Sequence, residues 1–427
     1  MSMTRKQALR RGLAAALLGL AAPLALAGYF QWDMVELPSD TGAACGNGTP
    51  YRFFVNRTPD STNLAIVYEG GGACWDQKAC LGGGALSAAN PNGIAPDYMT
   101  NFATQAALGL VTPFTARNDP FQAVQTQSWN IVYVPYCTGD VHTGSKVVVY
   151  ADADPANPRV EYHRGQANIR ATAKWLRDNL GQPQDLMLTG FSAGGVGSTA
   201  TYGIVRDALQ PTGRASLIAD SGPLMQAPRS GTPQQYPSLP LHNKIREAWG
   251  LDEAGGLIAG YAGSLPGFDP DNLGSVNLAL AQAYPADRFS FVTFQADNDF
   301  SAFSYDKFYP AIANASNPFV QRQLRLSLWQ PELATFRSSL TGVQNVAYYQ
   351  PFFRNVNASH CLTIIDFSGT GIQELGIADL NTVIDDTLNR GPNLQVVEQD
   401  HFSDYIQPLS LADRLFNLLS LLTKLLG

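Results

Sequence analysis

Short apolar runs separated by glycine- and proline-rich punctuation set the rhythm of this chain. Residues 51–55, 64–68, 129–135, 186–189, 215–219, 288–294 and 344–353 are rich in β-branched and aromatic side chains and predict strands. Helical spacing falls between them. Ile169, Ala173, Leu176 and Leu180 lie near one face of a helix over 165–180, and residues 196–209 read as another. Strand and helix alternate through this region, which predicts a parallel sheet. The rhythm breaks from Pro223 to Pro285, where prolines, glycines and short helical pieces such as 243–249 form an insertion over the end of the sheet. The expected architecture is α/β, with a mostly parallel central sheet flanked by helices. One domain covers residues 28–427, with a lid-like insertion at 223–285. In the tail, Leu415, Leu418, Leu419, Leu422, Leu425 and Leu426 recur at helical spacing and predict a helix packed on the domain.

The first residues follow another pattern. Arg5, Lys6, Arg10 and Arg11 precede an apolar stretch from Leu13 to Leu24, and Ala25-Leu26-Ala27 has the form of a cleavage site. This is the form of an export signal over 1–27, cut after Ala27. The expected location is secreted or periplasmic, with no stable membrane insertion. The 427 residues carry only 15% charged side chains but 39 glycines and 27 prolines, which suits a loop-rich extracellular protein. A net charge of −7 argues against a nucleic-acid partner, which would need a basic face. In an exported chain the five cysteines should mostly form disulfides, leaving one over. Cys74 and Cys80 are close enough to staple one loop, whereas Cys45, Cys137 and Cys361 cannot be paired from sequence. None of the five histidines has a ligand spacing near these cysteines, so no metal is expected.

The candidate chemistry centres on residues 186–195. An apolar run ends at Gly190, and Ser192 sits in Gly190-Phe191-Ser192-Ala193-Gly194-Gly195 ahead of a helical stretch. This is the form of a nucleophile elbow, a strand-to-helix turn too tight for side chains beside the serine. A serine hydroxyl needs a histidine to take its proton and a carboxylate to orient that histidine. In this architecture the chain order is serine, acid, histidine. His360 follows a predicted strand and is the favoured base, ahead of His401. Asp297 and Asp299 follow the strand 288–294 and cannot be separated by spacing; Asp220 and Asp306 are weaker acids. Glu69-Gly70-Gly71-Gly72-Ala73-Cys74 follows the strand 64–68. Its backbone N–H groups suit an oxyanion hole, and a Cys74–Cys80 staple would keep it rigid. Asp140 and His142, after the strand 129–135, are candidates to line a substrate cleft; Asp140 equally suits a turn cap.

Four ordered features together resemble the pectin acetylesterase and Notum family. They are Glu69-Gly70-Gly71-Gly72-Ala73-Cys74-Trp75, Tyr136-Cys137-Thr138-Gly139-Asp140, the elbow at Gly190 to Gly195, and Ser359-His360. The resemblance spans roughly Cys45 to Ile365. It implies an α/β-hydrolase that cleaves carboxylic esters with a Ser-Asp-His triad and no metal or cofactor. Carried onto this chain, it implies Ser192 as nucleophile, His360 as base, and Asp299, ahead of Asp297, as acid. It also implies N–H donors at Gly71, Gly72 and Ala193. Where Notum has tryptophan in the glycine loop, this chain has Gly72. The expected function is a secreted serine esterase working through an acyl-enzyme, with deacetylation of a polysaccharide as the leading substrate reading. A lipase, polyester or short-chain carboxylesterase is the first alternative, and an inert binding protein on the same scaffold is the second.

Overall fold

The apolar runs become strands, and their pairing decides where the loops meet. In the computed structural model, residues 32–84, 86–100, 112–117, 122–355 and 357–405 are described. The expected export signal (1–27) and leucine-rich tail helix (411–427) lie outside them. The strands are β1 (Asp33–Glu36), β2 (Arg52–Asn56), β3 (Leu64–Tyr68), β4 (Asn130–Val134), β5 (Lys146–Tyr150), β6 (Arg159–His163), β7 (Leu186–Phe191), β8 (Ala215–Asp220), β9 (Arg288–Val292), β10 (Val346–Gln350) and β11 (Gln395–Val397). Nine of them form one sheet in the order β1-β2-β4-β3-β7-β8-β9-β10-β11, and β5 and β6 form a separate hairpin. The β1–β2 and β2–β4 pairs are antiparallel. From β4 onward the sheet is parallel.

Strands β3, β8 and β10 are buried along their whole length. Continuous burial is the signature of a parallel sheet covered on both faces, and it explains why these strands read as unbroken apolar runs. Leu188 and Leu217 are fully enclosed, each contributing about 1.5–3 kcal/mol by leaving water. Register then aligns the strand ends. Tyr68 pairs with Gly190, Phe191 with Asp220, and Asp220 with Val292. The loops after β3, β7, β8 and β9 therefore leave from one rim, where open α/β sheets bind ligands.

The helix Gly165–Leu180 has the expected bounds, and Gly181, at φ 78°, ends it. The single helix expected over 196–209 is two, Ala193–Ala200 and Tyr202–Leu209. They divide at Thr201, whose hydroxyl donates to the Gly197 carbonyl at 2.7 Å and also contacts Tyr68. The edge strands β1 and β11, four and three residues long, carry too little pattern to stand out in the sequence, whereas β5 of the hairpin, with Val147, Val148, Val149 and Tyr150, carries a strand signal missing from the expected set. The segment 223–285 contains the helices Leu239–Trp249, Leu257–Ser264 and Val276–Ala283. Its Trp249 indole donates to the Cys74 carbonyl at 2.8 Å, and its Tyr261 hydroxyl donates to the Ala200 carbonyl at 2.7 Å. The segment is thus tied to both the glycine loop and the helix behind Ser192. Two disulfides brace the same end of the molecule. Cys74–Cys80 closes the loop after β3, and Cys45–Cys137 joins the segment before β2 to the end of β4. Cys361 is the unpaired thiol, and it is buried.

Candidate active site

Ser192 leaves β7 at φ 57° and ψ −121°, and the helix Ala193–Ala200 begins at the next residue. Close contacts explain the glycines around it. A Cβ at Gly190 would lie 2.3 Å from the Gly194 carbonyl oxygen. One at Gly194 would lie 2.2 Å from that of Tyr68, and one at Gly195 would lie 2.2 Å from that of Asp220. No side chain fits at these distances, so glycine is required for the turn to pass between β3 and β8. The Ser192 N–H donates to the Asp220 carbonyl at 2.9 Å.

The structure brings His360 to Asp297. The ring Nδ1 lies 2.9 Å and 3.0 Å from the two carboxylate oxygens. Asp297, rather than the favoured Asp299, therefore faces the histidine. The reason is its place at the start of the helix Asn298–Tyr305. Asp297 is the N-cap in extended conformation and accepts the Phe300 N–H at 2.8 Å, while Asp299 lies inside the first turn. The N-cap preference for aspartate was the sequence signal that could have separated the two. Burial opposes a charge on His360, but the adjoining Asp297 carboxylate outweighs it, with a further contribution from the Cys361 thiol. The pKa of the ring is held well above the ordinary histidine value. His401 lies by Glu398, at 3.5 Å, rather than by this pair.

The loop that carries His360 has little regular structure, and long-range hydrogen bonds hold it. Asp220, at the end of β8, accepts from Leu362 N–H (2.9 Å), Thr363 N–H (2.7 Å) and the Thr363 hydroxyl (2.7 Å). Ser221 Oγ accepts the Cys361 N–H at 2.9 Å. Asp220 therefore has one hand on each partner: its carbonyl holds the Ser192 backbone and its carboxylate holds the histidine loop. Weighed in the sequence as a weaker acid, it is a structural tie. Arg354 is a second tie, which the sequence does not signal. Its guanidinium donates to the carbonyls of Cys361 (2.6 Å), Ile364 (3.4 Å), Asp366 (3.3 Å) and Ser368 (3.1 Å). At this rim and just behind it several non-glycine residues have positive φ: Val141, His142, Ser192, Ser221, Ala358, Ser359, Cys361 and Ile365. This region is sparsely populated for residues with a Cβ, most of all for β-branched ones.

After β3, Gly71 and Gly72 have φ of 135° and 59°. A Cβ at Gly72 would lie 2.3 Å from the Ser87 carbonyl oxygen, so this loop has no room for a side chain there. The Ala73 N–H is committed to the Leu86 carbonyl (3.2 Å), and the Gly71 carbonyl accepts from Ala89 N–H (2.9 Å). The Glu69 carboxylate accepts from the Tyr98 hydroxyl (2.5 Å) and the Tyr136 N–H (2.8 Å). Desolvation pushes its pKa up to about 7, against those hydrogen bonds. Ala193, the third expected donor, is the first residue of the helix after Ser192.

Asp140 and His142 do not line a cleft: they are 0% and 2% exposed. Asp140 accepts from the Thr138 hydroxyl (2.6 Å), Gly144 N–H (3.1 Å) and Gly165 N–H (2.8 Å), and so acts as the clasp of its own turn. The His142 ring contacts the Glu69 carbonyl through Nε2 at 2.9 Å. A polar strand end marked these residues in the sequence, but burial places them behind the rim.

The sheet order, the two antiparallel leading strands and the strained serine between β7 and a helix define an α/β-hydrolase-like fold. The pectinacetylesterase family model matches residues 27–244, half of the chain, and the protein belongs to that family. Among similar proteins is palmitoleoyl-protein carboxylesterase NOTUM of Mus musculus, 25% identical over 194 residues, which are 44% of this chain and 35% of that protein. Pectin acetylesterase 4 of Arabidopsis thaliana is 25% identical over 200 residues, 44% of each chain. Pectin acetylesterase 5 of the same plant is 26% identical over 204 residues, 46% of this chain and 44% of that one. The matched region thus spans less than half the length of each of these relatives.

Proposed function

We propose that this protein is an exported serine carboxylesterase that removes acetyl groups from a polysaccharide. The observation that carries the reading is the buried His360–Asp297 pair, held through Asp220 to the backbone of a strained Ser192. The names of the pectin acetylesterase relatives support the acetyl-polysaccharide substrate. Two disulfides support export, as does the basic and apolar leader. No helix among the described residues is long and apolar enough to cross a membrane.

In this mechanism Ser192 Oγ attacks the ester carbonyl carbon and its proton passes to His360 Nε2. Asp297 accepts the Nδ1–H bond, which fixes the tautomer and balances the imidazolium charge. The N–H groups of Gly71, Gly72 and Ala193 receive the developing oxyanion. The tetrahedral adduct collapses, and the alcohol leaves with the proton from His360. Water, deprotonated by the same histidine, then releases the carboxylic acid and restores Ser192.

A fluorophosphonate probe should label the folded wild type and fail to label Ser192→Ala, as read by intact-protein mass spectrometry. Absence of labelling in the wild type would refute the esterase reading. Acetate release from acetylated pectin or xylan, compared with hydrolysis of short and long p-nitrophenyl esters, tests the substrate. Preference for long acyl chains would replace the polysaccharide with a lipid-like ester.

A further inference from the structure

We infer that His142 is a positioning residue that aims the oxyanion loop, an inference that rests on the serine-esterase reading above. The ring is enclosed between Tyr136 and Tyr68, with centroids 4.7 Å and 5.1 Å away. Its Nε2 lies 2.9 Å from the Glu69 carbonyl oxygen, the last carbonyl before the glycines. A carbonyl only accepts, so Nε2 must carry the hydrogen. Burial pushes the ring's pKa down to about 4, which keeps it neutral at neutral pH, and the Glu69 carbonyl then selects the Nε2–H tautomer.

The consequence follows from peptide geometry. None of the described peptide bonds is cis, and in a trans peptide the N–H points opposite the C=O. By holding the Glu69 carbonyl inward, His142 turns the Gly70 N–H outward. Two residues on, Ala89 N–H holds the Gly71 carbonyl at 2.9 Å and so turns the Gly72 N–H the other way. The peptide between these two, which carries the Gly71 N–H, is confined from both sides. Glycines alone would leave that stretch free to rotate. His142 removes the freedom at one end and the Ala89 amide at the other. The ring also sets the spacing to the elbow. A Cβ at Gly197, in the helix behind Ser192, would lie 2.8 Å from His142 Cδ2. A Cβ at Gly194 would lie 2.9 Å from the Glu69 oxygen. One imidazole therefore touches the glycine loop by a hydrogen bond and the nucleophile's helix by packing.

The test compares His142→Gln, whose amide N–H can take the place of Nε2–H, with His142→Leu, which keeps bulk and loses the donor. With p-nitrophenyl acetate, His142→Leu should lower kcat by about 10–100-fold with KM little changed, because oxyanion donors act mainly in the transition state. His142→Gln should restore kcat to within about threefold of the wild type, inside the tenfold that 1.4 kcal/mol represents. Equal losses in both variants, or full activity in His142→Leu, would overturn the proposal. A wild type that neither turns over nor takes the fluorophosphonate probe would bring down the esterase reading together with it. Wild-type labelling and turnover, with kcat undiminished in His142→Leu, would bring down this inference alone. A measurement independent of folding by the variants is the ring tautomer in 15N-labelled wild type. An Nε2–H tautomer that persists down to about pH 5 agrees with the proposal, and an Nδ1–H tautomer overturns it.

Discussion

The turn around Ser192 and the loop around His360 reach the same rim by different physics. The Ser192 turn is local. Gly190, Gly194 and Gly195 let the backbone pass within contact distance of Tyr68 and Asp220, and one main-chain hydrogen bond from Ser192 completes it. The His360 loop has almost no ladder of its own. Two side chains distant in sequence hold it, Asp220 from β8 and Asp297 after β9, and Arg354 ties it from the start of the same loop. The position of the proposed nucleophile is thus written into adjacent residues, whereas that of the proposed base depends on groups contributed by several strands.

Breaking the base's support should cost the most. Asp297→Asn should lower kcat on p-nitrophenyl acetate by about 10³–10⁴-fold, since the wrong tautomer then faces the serine. Asp299→Asn should lower it by less than about tenfold, and the reverse ranking would transfer the acid role to Asp299. Asp220→Asn comes next. It keeps the carbonyl that holds Ser192 and disturbs only the carboxylate that holds the histidine loop. Hydrogen bonds to charged groups contribute about 1.5–3 kcal/mol, so kcat should fall by roughly 10–100-fold while the carbonyl bond at the elbow persists. Unchanged kcat would show that the histidine loop stands without this tie. The smallest effect is on pH dependence. A base must be neutral to accept a proton, and Asp297 raises the His360 pKa. Activity should therefore be lost as pH falls through a midpoint above the ordinary histidine value of 6.5. In the residual activity of Asp297→Asn this midpoint should move down; an unmoved midpoint would assign the limb to another group.

The same division explains what the sequence could and could not tell. Strands β3, β4, β7, β8 and β9 were legible because burial on both faces leaves unbroken apolar runs. The glycine loop and elbow were legible because steric need fixes residue type over a few positions. The choice between Asp297 and Asp299 was not, since both follow one strand closely and only the helix start distinguishes them. Asp140 and His142 looked like cleft residues because polar groups after a strand commonly are, and only packing by Tyr68, Tyr136 and the turn at Gly144 reveals them as internal. The part played by Asp220 and Arg354 was out of reach. Their partners are backbone groups, in another segment for Asp220 and within one irregular loop for Arg354, and no residue pattern encodes them.

The positive-φ residues around the rim have a consequence for how such a protein would evolve under heat. Each non-glycine residue held there costs on the order of 1 kcal/mol or more. Ser192 is therefore a position where replacement by glycine relieves the backbone, whereas at Ser221 and Ser359 glycine would also remove a hydroxyl that accepts a buried N–H. A library screened only for survival at high temperature should enrich such a replacement and drift toward a sturdier molecule that, under the proposed mechanism, is catalytically silent. Its most heat-resistant descendants would be recognisable by glycine at position 192.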